Sequence, residues 1–169
     1  MEFKEVIRDR FACRKFDGRE ISKEQLAAVL EAGRLAPTAK NLQEQHIYVA
    51  QGEALAKIDA ITPCRYNAST VLIVAFDKNN VFVYPGQKRD SGVEDASIVA
   101  THMMLAAKDE GLNSCWINFF DPEKAAHTLG LPENEEILRM LDLGYKQENV
   151  KPLAGHFLRK EINETVSYL

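Results

Sequence analysis

Apolar residues recur along the chain with two spacings, one typical of helices and the other typical of strands. The helical spacing predicts helices from Ser22 to just before Pro37 and over residues 3–8, 53–61, 90–107 and 122–129. Alternating or β-branched runs predict strands over residues 46–50, 70–76, 113–120 and 137–143, with a short extended piece at 81–84. Because the order lacks a regular βαβ rhythm, we predict an α+β sandwich in which helices flank a mainly antiparallel sheet.

Two of the predicted helices carry clear signals at their ends. Ser22 and Gln25 have the spacing of a capping box, and Pro37 stops the same helix because a residue before proline is pushed out of the helical region. Asp121 followed by Pro122 is typical of an N-cap with proline in the first helical turn. These signals predict where the helices begin and end independently of the apolar spacing.

The helix over residues 90–107 is apolar nearly all the way round in its second half. Such a helix must be covered on every side, and a chain of this size has few ways to do that alone. We therefore predict a homodimer with this helix near the interface. The tail after Pro152 also keeps apolar residues to its end, so we expect the tail to pack, on its own chain or across the partner subunit.

Composition and charge narrow the classes of function. The 169 residues carry a net charge of −4 without a long basic tract, which disfavours nucleic acid as a partner. The chain has neither a membrane-length apolar run nor a signal-peptide core, so we expect no membrane insertion and no export. Cys13, Cys64 and Cys115 form no CxxC pair, which fits a reducing cytoplasm. We expect one cytoplasmic domain over residues 1–169, with small molecules or a second copy as partners.

Positive charge is concentrated near the amino terminus, where Arg10, Arg14 and Lys15 lie close together in an acidic chain. A guanidinium group presents a fixed fork of donors that fits a phosphate group. The cluster is therefore a candidate anion site, with a phosphate-bearing cofactor as the first ligand to consider. A solvated charged surface without function is the other interpretation, and this stretch alone does not decide between the two.

The common catalytic signatures are absent from the sequence. It has no GxGxxG after a strand, no GxxxxGK[ST] and no GxSxG, and its four histidines show no metal-ligand spacing. His102 in the apolar helix and Cys115 beside Trp116 are interpreted as packing residues. We therefore predict no catalytic side chain and no metal site, and we expect a cofactor to supply the chemistry.

Three separated stretches together resemble the nitroreductase family of FMN-dependent oxidoreductases. Residues 10–16, Arg-Phe-Ala-Cys-Arg-Lys-Phe, are similar to that family's Arg-Arg-Ser-x-Arg-x-Phe opening. Residues 36–43, Ala-Pro-Thr-Ala-Lys-Asn-Leu-Gln, are similar to its Ala-Pro-Ser-x-x-Asn-x-Gln segment, and Arg159 stands in the tail where the family has a closing phosphate-binding arginine. The stretches occur in the family's order, so the resemblance implies the nitroreductase fold and a homodimer with FMN at its interface.

The resemblance also implies which residues bind the cofactor. Arg10, Arg14 and Arg159 would hold the FMN phosphate, while Ile117 and Asn118 would pass beside the flavin N5. The full set of implied cofactor-binding residues is Arg10, Ala12, Arg14, Pro37, Thr38, Ala39, Asn41, Ile117, Asn118 and Arg159.

The implied activity is hydride transfer from NADH or NADPH to FMN, and then to a nitro compound, a quinone or a similar electron-poor acceptor. The sequence departs from the family pattern at Ala12 (usually serine), Phe119 (glycine in many members) and Phe157 (frequently lysine), and the chain is short. These departures keep an alternative open, a flavin-binding protein for storage, delivery or sensing with little turnover. A dimeric interaction domain whose basic cluster is only surface is a third interpretation.

Overall fold

The computed structural model describes residues 1–169 and contains one four-stranded sheet with helices on both faces. The strands are β1 (Gln45–Gln51), β2 (Thr70–Asp77), β3 (Asn113–Ile117) and β4 (Glu135–Gly144). They lie in the order β1-β2-β4-β3, and every neighbouring pair is antiparallel. The predicted α+β architecture on an antiparallel sheet is confirmed.

Five α-helices connect and cover these strands. They are α1 (Phe3–Asp9), α2 (Lys23–Arg34), α3 (Leu55–Ile61), α4 (Gly92–Asp109) and α5 (Pro122–Leu129). The capping box at Ser22 and Gln25 is present, and the Asp121 carboxylate accepts the first N–H groups of α5. Both predicted helix starts are therefore confirmed.

The alternation of side chains along the sheet creates two cores. Val71, Ile73 and Ala75 of β2 face the layer that contains α3 and α5, whereas Leu72 and Val74 face α2 and α4. Every one of these side chains is buried. Both faces of the sheet are thus covered within one chain.

The predicted strand over 113–120 ends earlier than expected. β3 stops at Ile117, and the carbonyl of Phe119 accepts a hydrogen bond of 2.7 Å from the Thr62 hydroxyl. This bond holds residues 118–120 away from β4, and the Phe119 ring is 73% exposed. The prediction for these last residues was wrong, because a tertiary contact ends the pairing.

The tail differs more strongly from the expectation. Its apolar side chains are exposed, including Phe157 (69%), Leu158 (76%) and Ile162 (77%). The tail forms only two short 3₁₀ turns, Ala154–Phe157 and Ile162–Glu164. Packing on its own chain is therefore wrong as a prediction, because helices already cover both faces of the sheet. Packing across a partner subunit stays a prediction.

Helix α4 packs against the sheet and against α1 and α2, and part of its surface is left uncovered. Ala96, Val99 and Met103 are buried, while Val93 and Ile98 are 50% and 37% exposed. None of the helices combines the length and the apolar composition that a membrane-spanning helix needs. The uncovered apolar side of α4 is consistent with the predicted homodimer, which stays a prediction.

One carboxyl group lies inside the core. Asp142 of β4 is 1% exposed, and neither of its carboxyl oxygens has a hydrogen-bond partner. Its strand neighbours are Val71 and Cys115. Burial raises the pKa of Asp142 to about 9, although the positive charge of Arg65 acts in the opposite direction. Burial therefore favours the protonated form of Asp142 in the folded protein at neutral pH.

Candidate functional site

The basic segment, residues 10–16, runs extended beside the outer edge of β3. Ala12 forms a parallel bridge with Ser114, and the Cys13 N–H donates to the Ser114 carbonyl at 2.9 Å. Side chains of extended backbone alternate in direction. Phe11 and Cys13 are consequently buried, whereas Ala12 and Arg14 are exposed. Pairing with β3 thus fixes which side chains of this segment face outward.

Arg10 and Arg14 line neighbouring hollows that meet at Ala12. Arg10 and Trp116 are among the residues around a hollow of about 280 Å³. Arg14 lines two further hollows of about 420 and 330 Å³, and Lys15 lines the larger of them. Ala12 is part of all three walls. The structure therefore brings both arginines of the first motif into one neighbourhood.

The cations of this neighbourhood have no carboxylate partner. None of the ion pairs within 4.0 Å in the chain includes Arg10, Arg14, Lys15 or Arg159. The Arg14 guanidinium instead contacts the phenol of Tyr66, whose pKa is raised mainly by the neighbouring thiol of Cys64. Guanidinium groups without an internal anion remain free to bind an external one.

Arg159 is not brought to the other two arginines within one chain. It lies on the exposed tail, and its guanidinium donates to the carbonyl oxygens of His156 and Leu158. Other tail residues do approach the basic segment: the His156 ring lies 6.5 Å edge-on from that of Phe11, and Leu153 lines both hollows that contain Arg14. The predicted role of Arg159 therefore stays a prediction that requires a different tail position or a second subunit.

The second motif forms a tight loop, residues 37–43, ahead of β1. Thr38 Oγ1 accepts the Gln43 N–H at 3.0 Å, and the Ala39 N–H donates to the Asp95 carboxylate at 3.0 Å. Pro37 and Asn41 are exposed. The loop thus exposes Pro37 and Asn41 to solvent, while Asp95 of α4 holds its backbone at Ala39.

This loop and the Arg10 hollow contact different parts of α4. The loop is held by Asp95 in the first turn, whereas Met104 lines the hollow nearer the other end. Nine residues of helix separate the two positions by roughly 13 Å. None of the three hollows around Ala12 is lined by a residue of the 37–43 loop.

Ile117 and Asn118 occur where β3 ends. Ile117 is 3% exposed and packs in the core, while Asn118 is exposed. The guanidinium of Arg139 stacks on the Trp116 ring at 3.8 Å on the same part of the sheet. Burial lowers the pKa of Arg139, and no sequence spacing indicated this pair.

A second group that the sequence reasoning missed lies directly behind the 37–43 loop. Glu44 and Asp95 are 4% and 5% exposed, and their carboxyl groups face each other. Burial, and next the hydrogen bond to Asp95, raise the pKa of Glu44 to about 7. Glu44 follows the second motif directly, but only the fold shows that its partner is Asp95.

Comparison with known proteins adds independent information. The sequence model of the nitroreductase family matches residues 7–64 and 63–145. A nitroreductase family protein from Clostridium difficile 630 is 34% identical, with a TM-score of 0.91 over 99% of this chain and 98% of its own. An FMN-dependent nitroreductase from Clostridium difficile R20291 is 25% identical, with a TM-score of 0.78 over 98% of each chain. The NADPH-flavin oxidoreductase of Vibrio harveyi is 29% identical over 93% of this chain and 72% of that protein.

Sequence and fold agree in these comparisons. The family model spans most of the chain, from the basic segment to the end of β4, and the structural match extends to nearly every residue. The chain therefore belongs to the nitroreductase family, as its three motifs predicted.

Proposed function

We propose that this protein is an FMN-dependent oxidoreductase that works as a homodimer. It would take hydride from NADH or NADPH and deliver it to a nitro compound, a quinone or a similar electron-poor acceptor. The observation that carries the proposal is the neighbourhood of Ala12, where Arg10, Arg14 and Lys15 line adjoining hollows without a carboxylate partner. Relatives named for flavin and for NADPH support the same cofactor and reductant.

The donor set fits the phosphate group of FMN. Each hydrogen bond between a charged donor and a phosphate oxygen contributes about 1.5–3 kcal/mol. Arg10 and Arg14 would supply such bonds, and Arg159 would join them from a repositioned or partner tail. The remaining residues that would bind the cofactor are Ala12, Pro37, Thr38, Ala39, Asn41, Ile117 and Asn118.

The residues of this chain would bind and orient the cofactor and would exclude water from it. None of them would act as a nucleophile. When bound, FMN supplies the hydride chemistry. The extended backbone of residues 10–16, fixed to β3, would hold the phosphate end. The 37–43 loop, fixed to α4, would position the rest of the cofactor. Because these two parts lie apart in one subunit, we propose that two subunits complete the site.

Reconstitution with FMN tests the proposal directly. The protein should turn yellow after incubation with FMN and gel filtration, because a non-covalent flavin held by several charge-assisted bonds remains bound. Addition of NADH or NADPH without oxygen should bleach the 450 nm region of the flavin spectrum. A protein that stays colourless after this treatment would rule out the assignment.

The exposed ring of Phe119 favours a second candidate function. It follows Asn118 directly, and it is 73% exposed beside the segment that would pass the reactive part of the flavin. A large ring there would obstruct an acceptor and leave a protein that stores, delivers or senses flavin. Tight FMN binding without reduction by either nicotinamide nucleotide would favour this function over the oxidoreductase.

Deletion of residues 157–169 is expected to dissociate the dimer. Six large apolar side chains of this segment are exposed in the single chain: Phe157, Leu158, Ile162, Val166, Tyr168 and Leu169. Burial of each against a partner would contribute about 1.5–3 kcal/mol, so the dimer dissociation constant should rise at least about a hundredfold. Sedimentation velocity over a concentration series measures this change.

A matched control keeps the tail and changes only its polar residues. Lys160→Ala with Glu161→Ala removes one charge of each sign in the same segment and should leave the dissociation constant nearly unchanged. If the truncated chain and the control sediment identically as dimers, the tail does not hold the subunits together.

A further inference from the structure

Glu44 and Asp95 form a buried pair of carboxyl groups at the first turn of α4. The Ser91 hydroxyl donates to Glu44 Oε1 at 3.3 Å, whereas Oε2 is buried and receives no hydrogen bond from any N–H or hydroxyl group. Asp95 adds to burial in raising the pKa of Glu44, so the two carboxyl groups are close neighbours. Two buried neighbouring carboxyl groups can hydrogen-bond to each other only when one of them carries a proton.

No cation neutralises the pair. Neither Glu44 nor Asp95 takes part in an ion pair within 4.0 Å. The other charged groups nearby have partners of their own. Glu94 binds Tyr84 and Arg89, Asp90 accepts the Gly92 N–H, Asp77 accepts the Asn79 N–H, and the Lys40 ammonium lies over the Phe82 ring. Repulsion between two adjacent buried negative charges, with no cation to offset it, favours a proton on one member of the pair.

The 37–43 loop, which Asp95 contacts, has an uncommon backbone conformation. Lys40, Asn41 and Gln43 have φ angles of 52°, 56° and 54°, in the left-handed region that residues other than glycine seldom adopt. Two hydrogen bonds anchor the loop backbone: the Ala39 N–H donates to Asp95 Oδ2 at 3.0 Å, and the Asn80 amide donates to the Leu42 carbonyl at 3.1 Å. Because Lys40 and Asn41 follow Ala39 directly, the position of the Asp95 carboxylate acts on their backbone.

Ser91 connects the same pair to a second segment, residues 82–90. Its hydroxyl accepts the Phe82 N–H at 3.1 Å, and its own N–H donates to the Phe82 carbonyl at 2.9 Å. The Phe82 ring in turn lies 4.7 Å from the ammonium of Lys40 in the loop. Separation of the two carboxyl groups would therefore disturb both the 37–43 loop and residues 82–90 beside it.

We propose that Glu44 is a positioning residue for the cofactor, and that the proton it shares with Asp95 fixes the backbone of residues 38–41 for flavin binding. The inference rests on the proposed function, since the loop is a cofactor loop only if FMN is the ligand. When this proton dissociates above neutral pH, two negative charges lie side by side. Their repulsion shifts the Asp95 carboxylate, which then loses its hydrogen bond from the Ala39 N–H. Flavin affinity is then present below neutral pH and is lost as the pH rises through the neutral range.

The first test uses the protein without flavin. The Ala39 amide signal in a ¹⁵N NMR spectrum should shift with one transition near neutral pH in the wild type. In Glu44→Gln, whose amide donates as the protonated acid would, the transition should be absent. An Ala39 signal that titrates identically in both proteins overturns the inference, whatever happens with flavin.

The second test measures FMN affinity between pH 6.0 and 8.5 by quenching of flavin fluorescence. The phosphate group of FMN titrates with a pKa of about 6 in every variant, so the comparison between variants isolates Glu44. Wild-type affinity should fall about three- to tenfold more over this range than that of Glu44→Gln. Glu44→Ala, which cannot donate to Asp95, should bind weakly at every pH.

Glu53→Gln is the matched control, because Glu53 is exposed and its replacement removes the same charge. It should follow the wild type at every pH. Parallel curves for wild type and Glu44→Gln overturn the inference while leaving the flavin assignment intact. Absence of FMN binding in all variants overturns the proposed function and the cofactor role of Glu44 with it, and the Ala39 titration then reports whether the shared proton holds the loop.

Discussion

Replacement of Arg10 and Arg14 together by alanine is expected to weaken FMN binding by about a hundredfold to ten-thousandfold. Each guanidinium would lose a charge-assisted interaction of about 1.5–3 kcal/mol, and about 1.4 kcal/mol corresponds to a factor of ten in affinity. Neither arginine is needed for an internal ion pair, so the fold should remain stable. Titration calorimetry and a thermal melt of the same variant measure both effects.

Arg8→Ala with Arg34→Ala is the matched control for this double variant. Both arginines are exposed and paired with neighbouring carboxylates, Asp9 and Glu31. The control removes two positive charges without touching the Ala12 neighbourhood, so its FMN affinity should stay within about twofold of the wild type. Equal affinities for the two double variants would mean that the basic segment is only surface.

Asp142→Asn is expected to stabilise the protein by up to about 4 kcal/mol at pH 7 and by almost nothing at pH 4. Burial raises the pKa of Asp142 to about 9, so the folded protein keeps this group protonated while the unfolded chain ionises above about pH 3.9. Each pH unit between those limits costs about 1.36 kcal/mol of folding free energy. Asparagine has nearly the same shape and cannot ionise, which removes that cost.

The sign of this effect is the opposite of that for a carboxylate in an ion pair. Because the pKa of Asp142 is raised, its contribution to the stability of the wild type is greatest below about pH 4. This contribution decreases as the pH rises to about 9. Urea unfolding at pH 4, 5.5 and 7 should show the two proteins diverging. Glu20→Gln, at an exposed position, should show no such divergence. A constant difference at all three pH values would mean that Asp142 is ionised in the folded state beside Arg65.

Local sequence signals were sufficient for most of the fold. Ser22 with Gln25 and Asp121 with Pro122 marked helix starts because capping satisfies backbone N–H groups within one turn. The β-branched run of β2 indicated a central strand because a strand buried on both faces has no polar side. Where the prediction was wrong, at residues 118–120, the cause was a hydrogen bond from Thr62, which lies far away in the sequence.

The candidate site, like the fold, was predicted in part from local sequence and in part depends on tertiary contacts. By itself, the sequence determined the family and predicted which residues would bind a phosphate group, because the motifs are properties of the linear chain. Only the tertiary structure decided that Arg10 and Arg14 line adjoining hollows, that Glu44 meets Asp95 behind the loop, and that the apolar side chains of the tail are exposed on their own subunit. The physical reason is that burial and proximity between distant residues arise from packing, and no local spacing encodes which side chains the folded sheet and helices bring together.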